Sequence, residues 1–107
     1  MGVVEYNGQT YELDFMDIDV LERYEDAHAT LGETVNKVAG GKYKKGSEAF
    51  RAQLDAIDVF ITAVLGKTAA KKLFGTSANL RDRLDVLGQI VAAAEGIEAE
   101  AEALINK

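Results

Sequence analysis

Cysteine, proline and tryptophan are all missing from this 107-residue chain, and histidine occurs once. Without cysteine there is no disulfide, no thiolate metal site and no thiol nucleophile, which fits a reducing compartment. Without proline, no helix is kinked by a ring in its interior. No apolar run approaches the roughly 18 residues a membrane-spanning helix needs. The start of the chain lacks the basic-then-apolar pattern of a signal peptide, so a soluble protein is expected. Basic residues are the minority, 12 against 18 acidic ones, for a net charge of -6. That balance disfavours nucleic acid and anionic membrane surfaces.

Apolar residues make up 48% of the chain, ordinary for a globular protein and too many for a disordered one. The length suits one domain over residues 1–107 with a modest core. It opens with "VVEYNGQTYELDF", in which Asn7-Gly8 separates two strand-like runs. Asn-Gly is the strongest short-range hairpin signal, because both turn residues must adopt positive φ. A two-residue turn sets Tyr6 opposite Gln9 and Val4 opposite Tyr11, giving a hairpin over residues 3–13. Alternation then puts Val4, Tyr6, Tyr11 and Leu13 on one face and Val3, Glu5, Thr10 and Glu12 on the other. A lone hairpin is marginal in water. Its apolar face must cover helices, or its edge must pair with another chain.

The rest reads as helix, over about 17–39, 47–65, 68–74 and 79–105. The expected class is mainly α (α+β), a bundle of three to four helices behind an N-terminal β-hairpin. Asp17 caps the first helix, with Asp19 in its first turn and Met16 and Leu21 as a hydrophobic staple. A stripe of Ile18, Leu21, Tyr24, His28, Leu31, Val35 and Val38 follows at helical spacing, up to Gly40-Gly41. After the basic loop "GGKYKKG", Ser47 is the expected cap of a helix carrying Phe50, Leu54, Ile57, Ile61 and Val64. Val59 and Phe60 broaden its apolar face, as burial by more than one neighbour requires. Gly66 ends it, and Thr68 is the expected cap of "TAAKKLF", which closes at a left-handed Gly75 with Phe74 as a buried anchor. The last helix carries Leu80, Leu84, Leu87, Val91 and Ala94. Beyond Gly96 the chain is rich in Ala and Glu, with little apolar surface.

No residue grouping carries recognisable chemistry. His28 has no nucleophile paired with it and reads as a partly buried helix residue. Asp14, Asp17, Asp19, Glu22, Glu25 and Asp26 are dense, but their spacing matches no calcium loop. Lys42, Lys44 and Lys45, with Tyr43 among them, resemble a single-strand nucleic-acid patch; on an acidic protein they read as a solvated loop. "GGKYKKGS" has the wrong spacing for a phosphate loop. No catalytic, cofactor-binding or metal-ligating residue is assigned, and no enzyme is expected.

Two regions taken together, "YNGQTYELDFMDIDVLERYEDA" and "KLFGTSANLRDRLDVLGQIV", resemble a family of small proteins from tailed phages and prophages of Gram-positive bacteria. The resemblance lies in the Asn-Gly hairpin running into Tyr11, Leu13 and Phe15. It continues in the Tyr24-Glu25 pair of the first helix and the Phe74-Gly75 step before the last. It implies a tail assembly chaperone: a non-enzymatic protein that binds and solubilises the tape-measure protein and helps recruit tail-tube subunits. Such a protein works in the cytoplasm of the bacterial host and is absent from the mature virion. Self-association into a homo-oligomer through the hairpin edge is a further expectation. The Ala/Glu-rich end, with Ile97, Leu104 and Ile105, is the expected partner-binding surface, because it is apolar surface the core does not use. The alternative is a small acidic helical interaction or inhibitor protein of another phage or bacterial function. A secreted helical-hairpin protein fits poorly, since its usual Trp-x-Gly turn has no counterpart here.

The hairpin makes a direct prediction. Gly8→Val should lower the melting temperature, because a β-branched residue resists positive φ; an unchanged midpoint would count against the turn.

Overall fold

The computed structural model describes residues 2–41 and 43–106. Two strands, β1 (Gly2–Tyr6) and β2 (Gln9–Leu13), precede five helical segments. These are α1 (Ile18–Ala39), α2 (Gly46–Leu65), α3 (Lys67–Phe74), α4 (Leu80–Glu95) and α5 (Ile97–Ile105). The architecture is a helical bundle with an N-terminal antiparallel hairpin.

Asn7 and Gly8 both take positive φ, 51° and 75°, and the register places Tyr6 opposite Gln9 and Val4 opposite Tyr11. Val4 and Leu13 are buried and Tyr6 and Tyr11 half-buried, while Val3, Glu5, Thr10 and Glu12 face solvent. The hairpin is therefore a lid. Helix α4 lies so close against β1 that a side chain at Gly2 would collide with Ala93. The Gln89 amide closes β1's outer edge at Glu5, whose backbone groups point away from β2 in this register. Its Oε1 accepts from the Glu5 N–H at 2.7 Å and its Nε2 donates to the Glu5 carbonyl at 2.9 Å.

Helix ends follow their caps. The Asp17 carboxylate accepts from the Asp19 N–H at 3.0 Å, and Asn79 accepts from the Arg81 N–H at 2.8 Å. Ser47 and Thr68 are not caps. Helix α2 begins at Gly46 with Lys45 before it, and α3 begins at Lys67 with Gly66 alone joining it to α2. Both residues thus lie inside the first helical turn. Gly75 has positive φ, but its ψ of -120° departs from the left-handed helical value. The last stretch, expected to run unbroken over 79–105, divides at Gly96, where ψ is -7°. Glycine holds helical geometry weakly, and here the turn tightens.

The core joins Val4, Leu13 and Phe15 to Ile57, Phe60, Ile61 and Val64 of α2, Leu73 and Phe74 of α3, and Val86, Ile90 and Ala94 of α4. Two apolar stripes read from the sequence are rotated from the faces that pack. On α1 the residues against the core are Val20, Leu21, Tyr24, Ala27 and Leu31, whereas Ile18, His28 and Val35 are exposed. On α4, Val86 and Ile90 are buried and Leu84 is exposed. Both helices carry apolar residues over a wide arc, and the neighbour's position chose the side. Among the described residues of α1 none is fully buried, because α1 makes its main contact with α2 alone. The ends of α1 and α2 nearest their connection extend past the core, consistent with extents of 54 × 31 × 19 Å. Phe50, expected on the core stripe, stands exposed there.

Phe74 is buried, its ring centroid 5.9 Å from that of Tyr6, with the Arg83 guanidinium 4.2 Å above it. Phe74→Ala should cost about 3–5 kcal/mol, measured by chemical denaturation. A negligible change would show that the ring is not an internal anchor.

Candidate functional site

The candidate site is a groove along α1 and α2, lined by residues of both helices. Helix α2 is apolar nearly all the way round through "AIDVFITAVL". A helix of that kind is normally enclosed. Here α1 covers one flank and the core another, which leaves Val59 63% exposed in mid-helix. Around it lies a groove of about 810 Å³, with Ala27, Ala52, Ala56 and Ala63 among its lining residues. Phe60, buried in the core, contributes to the floor. Tyr43, from the connection, lines the far end and also an adjoining hollow with Glu48 and Arg51.

Register within this pair follows from its aromatic contacts. The rings of Tyr24 and Phe60 are 5.8 Å apart, edge to face. In an antiparallel pair, Asp26 then lies near the level of Asp58, and Asp55 near that of Ala29. The two positions, one on each wall, are staggered by about three residues of helical rise, about 4.5 Å. Both are exposed, and among the described residues neither forms an ion pair. Arg23 and Ala63 mark the end of the groove nearest the core.

Of the partner-binding residues expected from the sequence, Ile97 packs against the core, whereas Leu104 and Ile105 are 54% and 83% exposed. His28 is exposed, not partly buried, and borders the rings of Tyr24 and Phe60 at 5.6 and 6.4 Å. Lys44 and Lys45 are exposed; Lys42 lies outside the described residues. Among the acidic cluster, Asp14 and Asp17 serve the turn into α1, the Asp14 carboxylate accepting from the Met16 N–H at 3.1 Å. Among the described residues, no three His, Cys, Asp or Glu are grouped to hold a metal ion. Among the described residues, no helix is long and apolar enough to cross a membrane.

A hydrogen bond with Asp82 raises the Tyr6 phenol above its ordinary value, assisted by burial and by the charges of Asp82 and Asp85 and opposed by Arg83. Burial, then the charge of Glu95, raises Tyr24. Both phenols therefore stay protonated at neutral pH.

Sequence reasoning missed Arg83, a charged residue at a core position of α4, only 5% exposed. Its Nε donates to the Asp58 carboxylate at 2.9 Å, and its guanidinium covers Phe74. Its Nη1 is buried without a hydrogen-bond partner among the described residues. The signal was its place on the helical spacing of Val86 and Ile90, where an apolar residue would be expected. The groove had a fainter signal: Ala52, Ala56, Val59 and Ala63 recur at steps of four, three and four.

The fold and groove define a small, mainly helical protein with an open apolar groove along two of its helices. The chain belongs to a family of unknown function (DUF6673), whose model matches residues 7–107. No curated protein and no solved structure matches it.

The Arg83–Asp58 pair is asymmetric, since the Asp58 side chain is 36% exposed and Arg83 is enclosed. Asp58→Ala strands a buried cation and should cost about 3 kcal/mol. Arg83→Met leaves a carboxylate that water can reach, and should stay within about 1 kcal/mol of the parent. Equal losses in denaturant titrations would mean that the two ends of the pair are equally solvated.

Proposed function

We propose that this protein is a non-enzymatic, protein-binding tail assembly chaperone. In this reading it binds and solubilises a tape-measure protein and helps recruit tail-tube subunits in the bacterial cytoplasm, without remaining in the virion. The observation that carries the binding role is the open flank of α2, where Val59 is exposed above a groove floored by Phe60. An apolar surface of this kind beside polar residues is characteristic of protein interaction sites. The tail-assembly class rests on the resemblance carried by Tyr11, Leu13, Phe15, Tyr24-Glu25 and Phe74-Gly75. A long tape-measure chain exposes apolar helical stripes that aggregate unless covered, and a small acidic protein with a spare apolar flank is suited to cover them. Leu104 and Ile105 at the tip of α5 supply a second, smaller apolar contact.

Co-expression with the tape-measure protein encoded beside it should hold that protein in the soluble fraction and allow the two to co-purify. If the partner stays insoluble and unbound, the chaperone reading fails. Leu104→Ser with Ile105→Ser should weaken the complex with little change in melting temperature, because neither residue belongs to the core. Truncation before Ile97 would be a poorer test, since it removes a core contact.

A further inference from the structure

We propose that the α1–α2 groove receives a single amphipathic helix of a partner protein, its small or apolar face flanked by Lys or Arg. The proposal rests on the protein-binding reading above and adds the chemistry of the occupant.

The shape calls for a helix. Two antiparallel helices leave a trough between them, and alanines at Ala27, Ala52 and Ala56 keep its floor low. A third helix can settle between such ridges at the usual interaxial distance of about 8–10 Å. It would enclose Val59 and complete the burial that the apolar circumference of α2 lacks.

Charge selects the kind of helix. Asp26 and Asp55 stand on opposite walls with no ion pair among the described residues. Their stagger of about three residues suits basic residues spaced three or four apart on a facing helix. Arg23 at the core end favours an acidic residue or a helix C-terminus there, so the occupant's register is set by both signs. The same charges disfavour a second copy of this chain. Exposed apolar residues of its helices include Leu104 and Ile105 of α5, where Glu98 and Glu102 would bring carboxylates against Asp26 and Asp55. With a net charge of -6 the whole chain repels itself as well.

Two synthetic helical peptides of about 18 residues, roughly 27 Å long, would test this against the full chain. They share an Ala/Leu stripe and differ only in Lys or Glu at the flanking positions. The Lys peptide should bind saturably at low salt, about tenfold more tightly than the Glu peptide, as expected for two exposed ion pairs replaced by two repulsions. Amide and methyl signals of Ala27, Ala52, Ala56 and Val59 should shift in nuclear magnetic resonance titrations. Asp26→Asn with Asp55→Asn should erase the preference for Lys. Ala56→Trp, which fills the groove, should abolish binding with the circular dichroism spectrum unchanged; Val59→Lys serves if that variant fails to fold. Equal affinity for the two peptides, no saturable binding of either, or binding that survives a filled groove would overturn the proposal. So would a dimer in sedimentation that Ala56→Trp dissociates, because a second copy would then be the occupant. Retained Lys-peptide binding with a failed co-expression test would remove the tail-assembly reading alone.

Discussion

Helix α2 is the element on which the other packing depends, because it is apolar around nearly its whole circumference and must be covered from several directions. Ile57, Ile61 and Val64 share one core cluster with residues of the hairpin and α4, Phe60 meets Tyr24 of α1, and Gly66 turns the chain straight into α3. Helices α1, α3 and α4 each pack on α2, and α4 in turn carries the hairpin. Helix α1 shows the dependence most clearly: with α2 as its main partner and no fully buried residue among those described, it has little else to fix its position. The flank of α2 that no element covers is the groove. The candidate site is thus the part of the central packing requirement that the chain leaves unmet.

The hairpin solves two problems with one arrangement. A two-stranded sheet alone cannot bury enough surface to be stable, and here Val4, Leu13 and the following Phe15 are buried against the helices. An open strand edge also invites pairing with another chain. Gln89 occupies the backbone groups of Glu5, and α4 approaches β1 so closely that only glycine fits at position 2. Together these make the hairpin part of the fold and leave self-association through the outer edge of β1 obstructed at its centre.

Arg83 ties three elements at one point, α4 through its own backbone, α2 through Asp58 and α3 through the face of Phe74. A buried cation is expensive unless paired, so while Arg83 is present these helices are favoured where Asp58 can reach it. That rigid end contrasts with the α1–α2 arm, where Val35 and Phe50 stand in solvent. An apolar, acid-flanked trough on this arm is the form that the proposed docking of a partner's helix calls for.

Local chemistry was legible in the sequence wherever one residue decided the conformation. Asn7-Gly8 demanded positive φ and so set the hairpin's register and its inward face; Asp17 and Asn79 offered side-chain acceptors to orphan N–H groups; glycines 40, 66 and 75 closed helices. Burial within helices was less legible. Leu84, Val35 and Phe50 have the spacing of a core stripe and are exposed, while Val86 and Ile90 are enclosed, because a wide apolar arc allows several rotations and only the neighbouring helix selects one. Ser47 and Thr68 lost their capping roles for a similar reason: chain connection at Lys45 and Gly66 started the helices earlier than the best cap would have. The groove belongs wholly to this second kind. Val59 announced that α2 needs more than one neighbour, but whether its flank is covered depends on where α1 and α4 come to rest. Sequence determined which surfaces must be buried; tertiary packing decided which of them stayed open, since burial is a property of pairs of elements and not of either alone.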